Sequence, residues 1–179
     1  KFWEDRHRHL FGVLLLIKGM EVHNMSKDGL NELNYNPFGR PFLEGALDFN
    51  ISHSDRYVIC VLTEEGRVGV DVEVHGEVDF DIFQDIITPE EQEDIERSEN
   101  SKESFFNFWA IKESVIKADG RGMSASLPDI VISGDSATLD NKKWFVRKID
   151  LFQSASAYLV SNTNDKVSYK EVNFYKTEL

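Results

Sequence analysis

Val68-Gly69-Val70-Asp71-Val72-Glu73-Val74 alternates strictly between valine and another residue type. Successive side chains of a β-strand point to opposite faces, so this period of two predicts a strand with all of its valines on one face. Asp71 and Glu73 then share the other face, about 7 Å apart along the strand. The segment therefore predicts a sheet strand that presents two carboxylates side by side.

The acid pair of this strand has two interpretations. Charged residues that alternate with valine are typical of a strand with one solvent-exposed face, which requires no function. Two like charges at this spacing repel each other, however, and Mg²⁺ makes such a pair favourable because it prefers hard oxygen ligands. The strand alone leaves both interpretations open.

Two helices are predicted downstream of the strand. Thr88-Pro89-Glu90-Glu91 combines a capping residue, a proline at the first helical position and an acid at the third, so a helix begins there and ends near Arg97. Residues 102–118 have helical spacing, and Asp119-Gly120-Arg121-Gly122 ends this second helix.

The second helix carries its own group of polar side chains. Trp109, Glu113 and Lys117 lie at i, i+4 and i+8 and share one face, which Lys112 flanks. A Glu–Lys pair on a solvated helix is the plain alternative, and it contributes only about 0.3 to 0.5 kcal/mol.

Upstream, the sequence predicts a helix, a loop and a hairpin. Residues 10–20 form an apolar helix that ends near Lys18-Gly19, and residues 24–45 form a long ordered loop rich in Asn, Gly and Pro. Residues 49–54 and 57–62 are predicted strands joined by a tight turn.

Ser52 and His53 lie where the first of these strands ends. Because neighbouring residues of a strand point to opposite sides, a nucleophilic Ser–His pair is disfavoured, and the two groups suit anion binding better. A turn histidine without a function is the alternative.

Beyond Ser126 the sequence consists mostly of short strand-like runs, several of which should pair as an antiparallel sheet. These runs cover residues 129–133, 143–149, 157–160 and 170–175. Each half of the chain thus offers a helix followed by strands, which predicts an α+β fold with two lobes and a cleft near the Val68 strand. We place the lobes at residues 1–66 and 67–179.

Composition narrows the classes of function. The chain has 179 residues, is 41% apolar and carries a net charge of −12, so it should be an acidic globular protein that does not bind nucleic acid. Its single cysteine, Cys60, excludes an internal disulfide and favours the cytoplasm. No apolar run is long enough to span a membrane. The chain starts without Met and inside an amphipathic segment, so we expect further residues upstream.

Ordered motifs along the chain carry a resemblance to a known family. In sequence order they are Gly39-Arg40-Pro41, Phe49-Asn50-Ile51-Ser52-His53-Ser54, Val68-Gly69-Val70-Asp71-Val72-Glu73 and Phe108-Trp109-Ala110-Ile111-Lys112-Glu113-Ser114-Val115-Ile116-Lys117. Together they resemble the 4'-phosphopantetheinyl transferases of the surfactin-synthetase-activating (Sfp-like) type. The signature of that family is a hydrophobic-Gly-hydrophobic-Asp strand followed by a Trp/Phe-x-x-Lys-Glu-x-x-x-Lys helix. The likeness runs from Glu4-Asp5-Arg6-His7-Arg8 to Gly120-Arg121-Gly122.

The resemblance implies a pseudo-two-fold enzyme of two similar α+β lobes that binds coenzyme A and Mg²⁺, or Mn²⁺, in the cleft between them. It implies transfer of 4'-phosphopantetheine to a serine of an acyl or peptidyl carrier protein, with release of 3',5'-ADP. We expect a monomer.

Site roles also follow from the resemblance. Asp71, Glu73 and Glu113 correspond to the metal ligands, and Glu113 is also the candidate general base. Lys117 corresponds to the residue that contacts the transferred phosphate, whereas Trp109 is a structural support. The residues that correspond to ligands of the 3'-phosphate or other coenzyme A phosphates are Arg8, Arg40, Ser52, His53 and Lys112. For Lys112 the carrier protein is the alternative partner.

Two competing functions use the same residues. One is an acidic protein that binds a nucleotide-like ligand without turnover. The other is a metal-dependent phosphohydrolase that directs the same carboxylates at water and releases phosphopantetheine without an acceptor.

Overall fold

The computed structural model describes residues 2–45, 47–78 and 86–174. Within these ranges the helices are α1 (Phe2–Val22), α2 (Pro89–Arg97) and α3 (Ser101–Asp119). The strands are β1 (Leu33–Tyr35), β2 (Pro41–Leu43), β3 (Asp48–Ser54), β4 (Tyr57–Thr63), β5 (Val68–Val74), β6 (Val131–Ser133), β7 (Ser136–Leu139), β8 (Lys142–Lys148) and β9 (Ala155–Ser161). The predicted α+β class is confirmed.

The first half of the chain is a helix packed on a hairpin. β3 and β4 pair antiparallel, with Ser54 opposite Tyr57, and α1 lies against both strands. A small core of Leu16, Met20 and Phe49 fills the interface. Shorter strands β1 and β2 form a second antiparallel pair beside it.

Helix α1 is longer than its predicted extent of residues 10–20. It begins in the charged opening of the chain and continues past Gly19 to Val22. Gly19 does not end the helix but allows close packing, because a Cβ there would lie 2.3 Å from Cδ1 of Leu62. The predicted loop over residues 24–45 is also partly wrong, since it contains a 3₁₀-helix at Lys27–Glu32 and strands β1 and β2.

The second half is a five-stranded antiparallel sheet with the strand order β5-β9-β8-β7-β6. Helix α3 packs across β5 and β9, and α2 packs on α3. Gly69 lets strand and helix touch, because a Cβ at this position would lie 2.1 Å from the carbonyl oxygen of Ser114. This close crossing brings the polar face of β5 next to α3.

Local sequence signals correctly predicted the start of α2 and the end of α3. Thr88 and Glu91 form a reciprocal capping box at the start of α2. Gly120 ends α3 in the left-handed conformation, with φ of 83°.

Two strand predictions differ from the structure. Strand β7 was not predicted from the sequence, and the predicted strand at residues 170–175 is wrong over residues 170–174, where the chain is irregular. Tyr175 lies outside the described residues.

The two halves meet through side chains. Polar groups on one face of β3 accept hydrogen bonds from outward-facing backbone N–H groups of β5, the edge strand of the sheet. This side-chain ladder joins Asp48 to Val68 at 2.8 Å, Asn50 to Val70 at 2.9 Å, Ser52 to Val72 at 3.4 Å and Ser54 to Val74 at 3.1 Å. The ladder carries β3 alongside β5 without backbone pairing between them.

Among the described residues, no helix is both long and apolar enough to cross a membrane.

Candidate active site

Asp71 lies at the centre of a polar group between β3, β5 and α3. It is only 3% exposed, and its Oδ1 accepts hydrogen bonds from Nζ of Lys117 at 2.6 Å and Oγ of Ser52 at 2.9 Å. Burial raises the pKa of Asp71, and the ammonium of Lys117 opposes that rise. The solvated-strand interpretation is therefore excluded for this carboxylate.

Glu73, two positions along β5, has both carboxylate oxygens bound. Nε1 of Trp109 donates to Oε1 at 3.1 Å, and Oγ of Ser54 donates to Oε2 at 3.3 Å. Burial raises the pKa of Glu73, and the neighbouring charge of Asp71 raises it further. Two elements, β3 and α3, thus fix the direction of this side chain.

Glu113 faces the same group from α3, one turn before Lys117. Burial raises the pKa of Glu113, the charge of Asp71 adds to the rise, and Lys117 lowers it. Because Asp71 raises the pKa of both glutamates, it lies within electrostatic reach of each of them. The structure therefore brings together Asp71, Glu73, Glu113 and Lys117.

The donor set suits a hard divalent cation. Oδ2 of Asp71 is buried and accepts no hydrogen bond in the described part of the chain, whereas Oδ1 of the same carboxylate is paired with the ammonium of Lys117. Residues 2–45, 47–78 and 86–174 contain no preassembled cluster of at least three His, Cys, Asp or Glu side chains that could hold a metal. The ammonium of Lys117 is instead the cation nearest to Asp71.

The residues expected at the coenzyme A phosphates do not form one group. Arg8 and His53 lie at the turn end of the β3–β4 hairpin, where Nη1 of Arg8 donates to the carbonyl oxygen of Asp55 at 3.0 Å. The hydrogen bond from Arg8 lowers the pKa of Asp5, and the charge of His53 adds a smaller effect in the same direction. His53 is exposed, whereas Ser52 is buried on the opposite face of β3.

Arg40 departs from the expectation of a phosphate ligand. Its side chain is buried, and its two terminal nitrogens donate to the two oxygens of Asp48 at 2.8 and 2.7 Å. Nε donates to the carbonyl oxygen of Lys117 at 2.8 Å, and Nη2 also reaches the carbonyl oxygen of Val68 at 3.0 Å. The guanidinium is thus committed to joining β3, β5 and α3.

Lys112 departs from its expected role in the same way. It is 0% exposed, and its Nζ lies 2.7 Å from Oε2 of Glu91. The same nitrogen donates to the carbonyl oxygens of Ile86 and Leu127. Since an α-helix turns by about 100° per residue, Lys112 and Glu113 face different sides of α3. The structure therefore separates Lys112 from the carboxylate group.

Two contacts of this site were not anticipated by the sequence analysis. Ser54 donates a hydrogen bond to Glu73, and Trp109, expected only as a structural support, also donates one directly. The signal for Ser54 was its position two residues after Ser52, which places both hydroxyls on one face of the strand.

Comparisons with known proteins agree with one another. The family model of the 4'-phosphopantetheinyl transferase superfamily matches residues 67–164. The 4'-phosphopantetheinyl transferase gsp of Aneurinibacillus migulanus is 37% identical over 67% of this chain and 51% of its own length. The 4'-phosphopantetheinyl transferase Sfp of Bacillus subtilis (strain 168) is 30% identical over 69% of this chain and 57% of its own length. The chain thus spans little more than half the length of these relatives.

A solved structure, the holo-[acyl-carrier-protein] synthase of Thermotoga maritima, is 22% identical with a TM-score of 0.44. It covers 52% of this chain, and the match takes in 61% of that protein.

Proposed function

The chain belongs to the 4'-phosphopantetheinyl transferase superfamily, and on that premise we propose that it transfers the 4'-phosphopantetheine group of coenzyme A to a serine of an acyl or peptidyl carrier protein. The proposal includes dependence on Mg²⁺, or Mn²⁺, and release of 3',5'-ADP. It also includes action as a monomer in the cytoplasm, with which the single cysteine is in keeping.

One observation carries the proposal. The matched region, residues 67–164, contains Asp71, Glu73, Glu113 and Lys117. Lys117 contacts Asp71, and the charge of Asp71 acts on both glutamates. Three crowded carboxylates would repel a diphosphate, so the site favours a substrate that arrives with a divalent cation. The residue types of the site and the family match therefore both support phosphopantetheine transfer assisted by a divalent cation.

We assign the cation to Asp71, Glu73 and Glu113. When bound, it would neutralise charge shared by these carboxylates and the coenzyme A diphosphate. Trp109 and Ser54 orient Glu73, and the unpartnered Oδ2 of Asp71 is the oxygen free to take part.

The transfer step needs a proton acceptor and a group that stabilises the leaving phosphate. In our proposal, the carrier serine Oγ bonds to the phosphorus attached to pantetheine, the bond from that phosphorus to the ADP oxygen breaks, and the serine proton moves to Glu113. Burial raises the pKa of Glu113, which makes it a stronger base than an exposed glutamate. Lys117 offsets the charge that develops on the departing ADP.

Arg8 and His53 are the residues we propose for the 3'-phosphate. Both are basic groups at the turn end of the β3–β4 hairpin, and His53 is exposed. Arg8 supplies local positive charge on a chain with a net charge of −12.

The test is an incubation of the protein with coenzyme A, Mg²⁺ and several apo carrier proteins, followed by intact-mass measurement of the carriers. We expect a mass gain of one phosphopantetheine, and we expect Asp71→Asn to abolish it while the variant stays folded. Glu65→Gln, which neutralises an exposed acid in the turn before β5, is the matched control and should retain activity.

Other outcomes would contradict the proposal. Full activity of Asp71→Asn would remove Asp71 from the site. Release of phosphopantetheine without a carrier would indicate the hydrolase, and calorimetric binding of coenzyme A without any carrier mass gain would indicate the binding protein.

A further inference from the structure

Strand β8 carries four cations, two on each face of the sheet. Its even-numbered side chains face α3, because the buried Trp144 belongs to the core beneath that helix, and its odd-numbered side chains face outward. Lys142 and Lys148 therefore lie on the α3 side, whereas Lys143 and Arg147 lie on the outer face.

The two pairs of cations differ in their partners. On the α3 side, Nζ of Lys142 lies 3.4 Å from Oδ1 of Asp119, and Nζ of Lys148 lies 3.6 Å from Oε1 of Glu103. The two outer cations have no carboxylate within 4.0 Å in the described part of the chain. The chain contains 32 acidic and 20 basic residues, so cations without an acidic partner stand out. Such a pair on one face favours an anionic partner from outside the chain.

A cleft of about 510 Å³ opens on this outer face, beside residues 164–173, which have no regular secondary structure. Phe145 and Tyr169 line it together with Arg147, and Asp135 is the one acidic residue of its lining. The cleft thus offers aromatic surface next to a guanidinium.

Lys143 and Arg147 are held on either side of Phe145. Nη2 of Arg147 donates to Oδ1 of Asn164 and to the carbonyl oxygen of Asp165, both at 2.8 Å, which leaves its Nε and Nη1 without a partner among the residues that the structure describes. Nζ of Lys143 lies 5.1 Å from the centre of the Phe145 ring, a cation–π distance. We call these three side chains the outer row of β8.

The spacing of the outer row selects the kind of ligand. Strand residues four positions apart are separated by about 13 Å, too far for one carboxylate or one phosphate to reach both cations. An extended peptide has the same period, so its residues i and i+4 carry two acids at this spacing, and residue i+2 lies between them on the same side. A nucleic acid would bring a charge with every nucleotide, and the net charge of −12 would repel it.

We propose that the outer row of β8 binds an extended acidic segment of a partner protein, in which two Asp or Glu residues flank an aromatic or aliphatic residue at alternating positions. The acids pair with Lys143 and Arg147, and the central side chain packs on Phe145. The row lies on the opposite side of the sheet from Asp71, which bonds to Lys117 of α3. The site is therefore separate from the candidate active site, and the inference goes beyond the proposed function.

The experiment is a titration of the ¹⁵N-labelled protein with the synthetic peptide Gly-Glu-Ser-Phe-Ser-Glu-Gly, acetylated and amidated at its ends, followed by NMR. We expect saturable shifts of the amide signals in β8 and in residues 164–173. Lys143→Glu/Arg147→Glu should bind the peptide about 10-fold more weakly, because each carboxylate then meets a like charge. Circular dichroism of this variant should match that of the wild type.

Two controls separate recognition from general charge attraction. Lys18→Glu/Lys27→Glu makes the same change in net charge at exposed positions in the first half of the chain, and it should bind the peptide as the wild type does. The peptide Gly-Glu-Glu-Phe-Ser-Ser-Gly has the same composition, but its adjacent acids point to opposite sides of an extended chain. It should bind about 10-fold more weakly than the first peptide.

Three results would overturn the inference. The first is the absence of shifts at millimolar peptide. The second is equal affinity for the two peptides, or equal affinity of the wild type and Lys143→Glu/Arg147→Glu, which would leave only general attraction between charges. The third is tighter binding of a single-stranded oligothymidylate that the same variant loses, which would assign the row to nucleic acid. Because the readout is binding and not carrier loading, none of these results bears on the proposed function.

Discussion

The buried carboxylates of the candidate site lower the free energy of unfolding when they are ionised. Burial raises the pKa of Asp71, Glu73 and Glu113, and the charge of Asp71 raises the pKa of both glutamates further. An acid whose pKa is higher in the folded chain binds more protons there than in the unfolded chain. The free energy of unfolding therefore falls as pH rises from the unfolded pKa, about 4, through the raised folded value.

We accordingly expect the free protein to have a lower Tm at pH 7.5 than at pH 5.5. Glu73→Gln should narrow this difference, because it removes one of the raised groups and weakens the repulsion on Asp71. Thermal unfolding followed by circular dichroism measures the effect, and Glu65→Gln is the control that should leave the difference unchanged. A wild-type Tm that rises between pH 5.5 and 7.5 would contradict this account.

The buried Lys112 leads to a prediction about stability and not about catalysis. Lys112→Met leaves the carboxylate of Glu91 buried without its cation, so we expect a loss of about 3 kcal/mol in the free energy of unfolding, measured by urea titration. The double variant Lys112→Met/Glu91→Gln should recover part of the loss. Unchanged stability together with a raised KM for coenzyme A would place Lys112 at a phosphate after all.

At the scale of elements, the crossing of β5 and α3 depends on one small residue. Gly69→Ala would place a Cβ 2.1 Å from the carbonyl oxygen of Ser114 and 2.6 Å from the backbone nitrogen of Ala118. Both neighbours are backbone atoms of α3, so the strand and the helix must separate.

We expect Gly69→Ala to destabilise the fold by about 3 kcal/mol or more and to lower carrier loading in the fraction that folds. Urea denaturation and intact-mass assays measure the two effects. Gly76→Ala, at a position where a Cβ would meet nothing within 4 Å, should match the wild type. A stable, active Gly69→Ala would show that the close crossing is not required.

Elements with strong local signals could be predicted from the sequence. The alternating valines give β5, the capping box gives the start of α2, and Gly120 gives the end of α3. The continuation of α1 through Gly19 could not be predicted, because it depends on packing against Leu62, which is distant in sequence.

The candidate site was predictable only in part for the same reason. The shared face of Asp71 and Glu73 follows from the period of two, but their proximity to Glu113 came from the family resemblance. The partners of Lys112 and Ser52 depend on which side of a helix or strand is covered by distant segments, and no local pattern carries that information.

At the scale of the whole molecule, the boundary between two lobes at residues 66 and 67 remains a prediction. The contacts between the two halves, however, lead us to expect that they unfold together. Arg40 alone bonds to Asp48 in β3, to the carbonyl of Val68 in β5 and to the carbonyl of Lys117 in α3. Separating the halves would leave these buried polar groups unpaired, which is costly.

We therefore expect a single unfolding transition, in which tryptophan fluorescence and circular dichroism give the same midpoint and calorimetric and van't Hoff enthalpies agree. Arg40→Met should lower that midpoint. Two resolved transitions in the wild type would show instead that residues 1–66 and 67–179 unfold as independent lobes.

The side-chain ladder between β3 and β5 has one further consequence. Ordinary sheet pairing is made by the main chain, so it is almost indifferent to amino-acid identity. Here the acceptors are side-chain oxygens of β3, so a single substitution can remove or replace one hydrogen bond of the ladder at a time. Substitutions in β3 can therefore change the strength of the contact between the halves in single steps. At Ser52 and Ser54, however, a substitution also removes a hydrogen bond to Asp71 or Glu73.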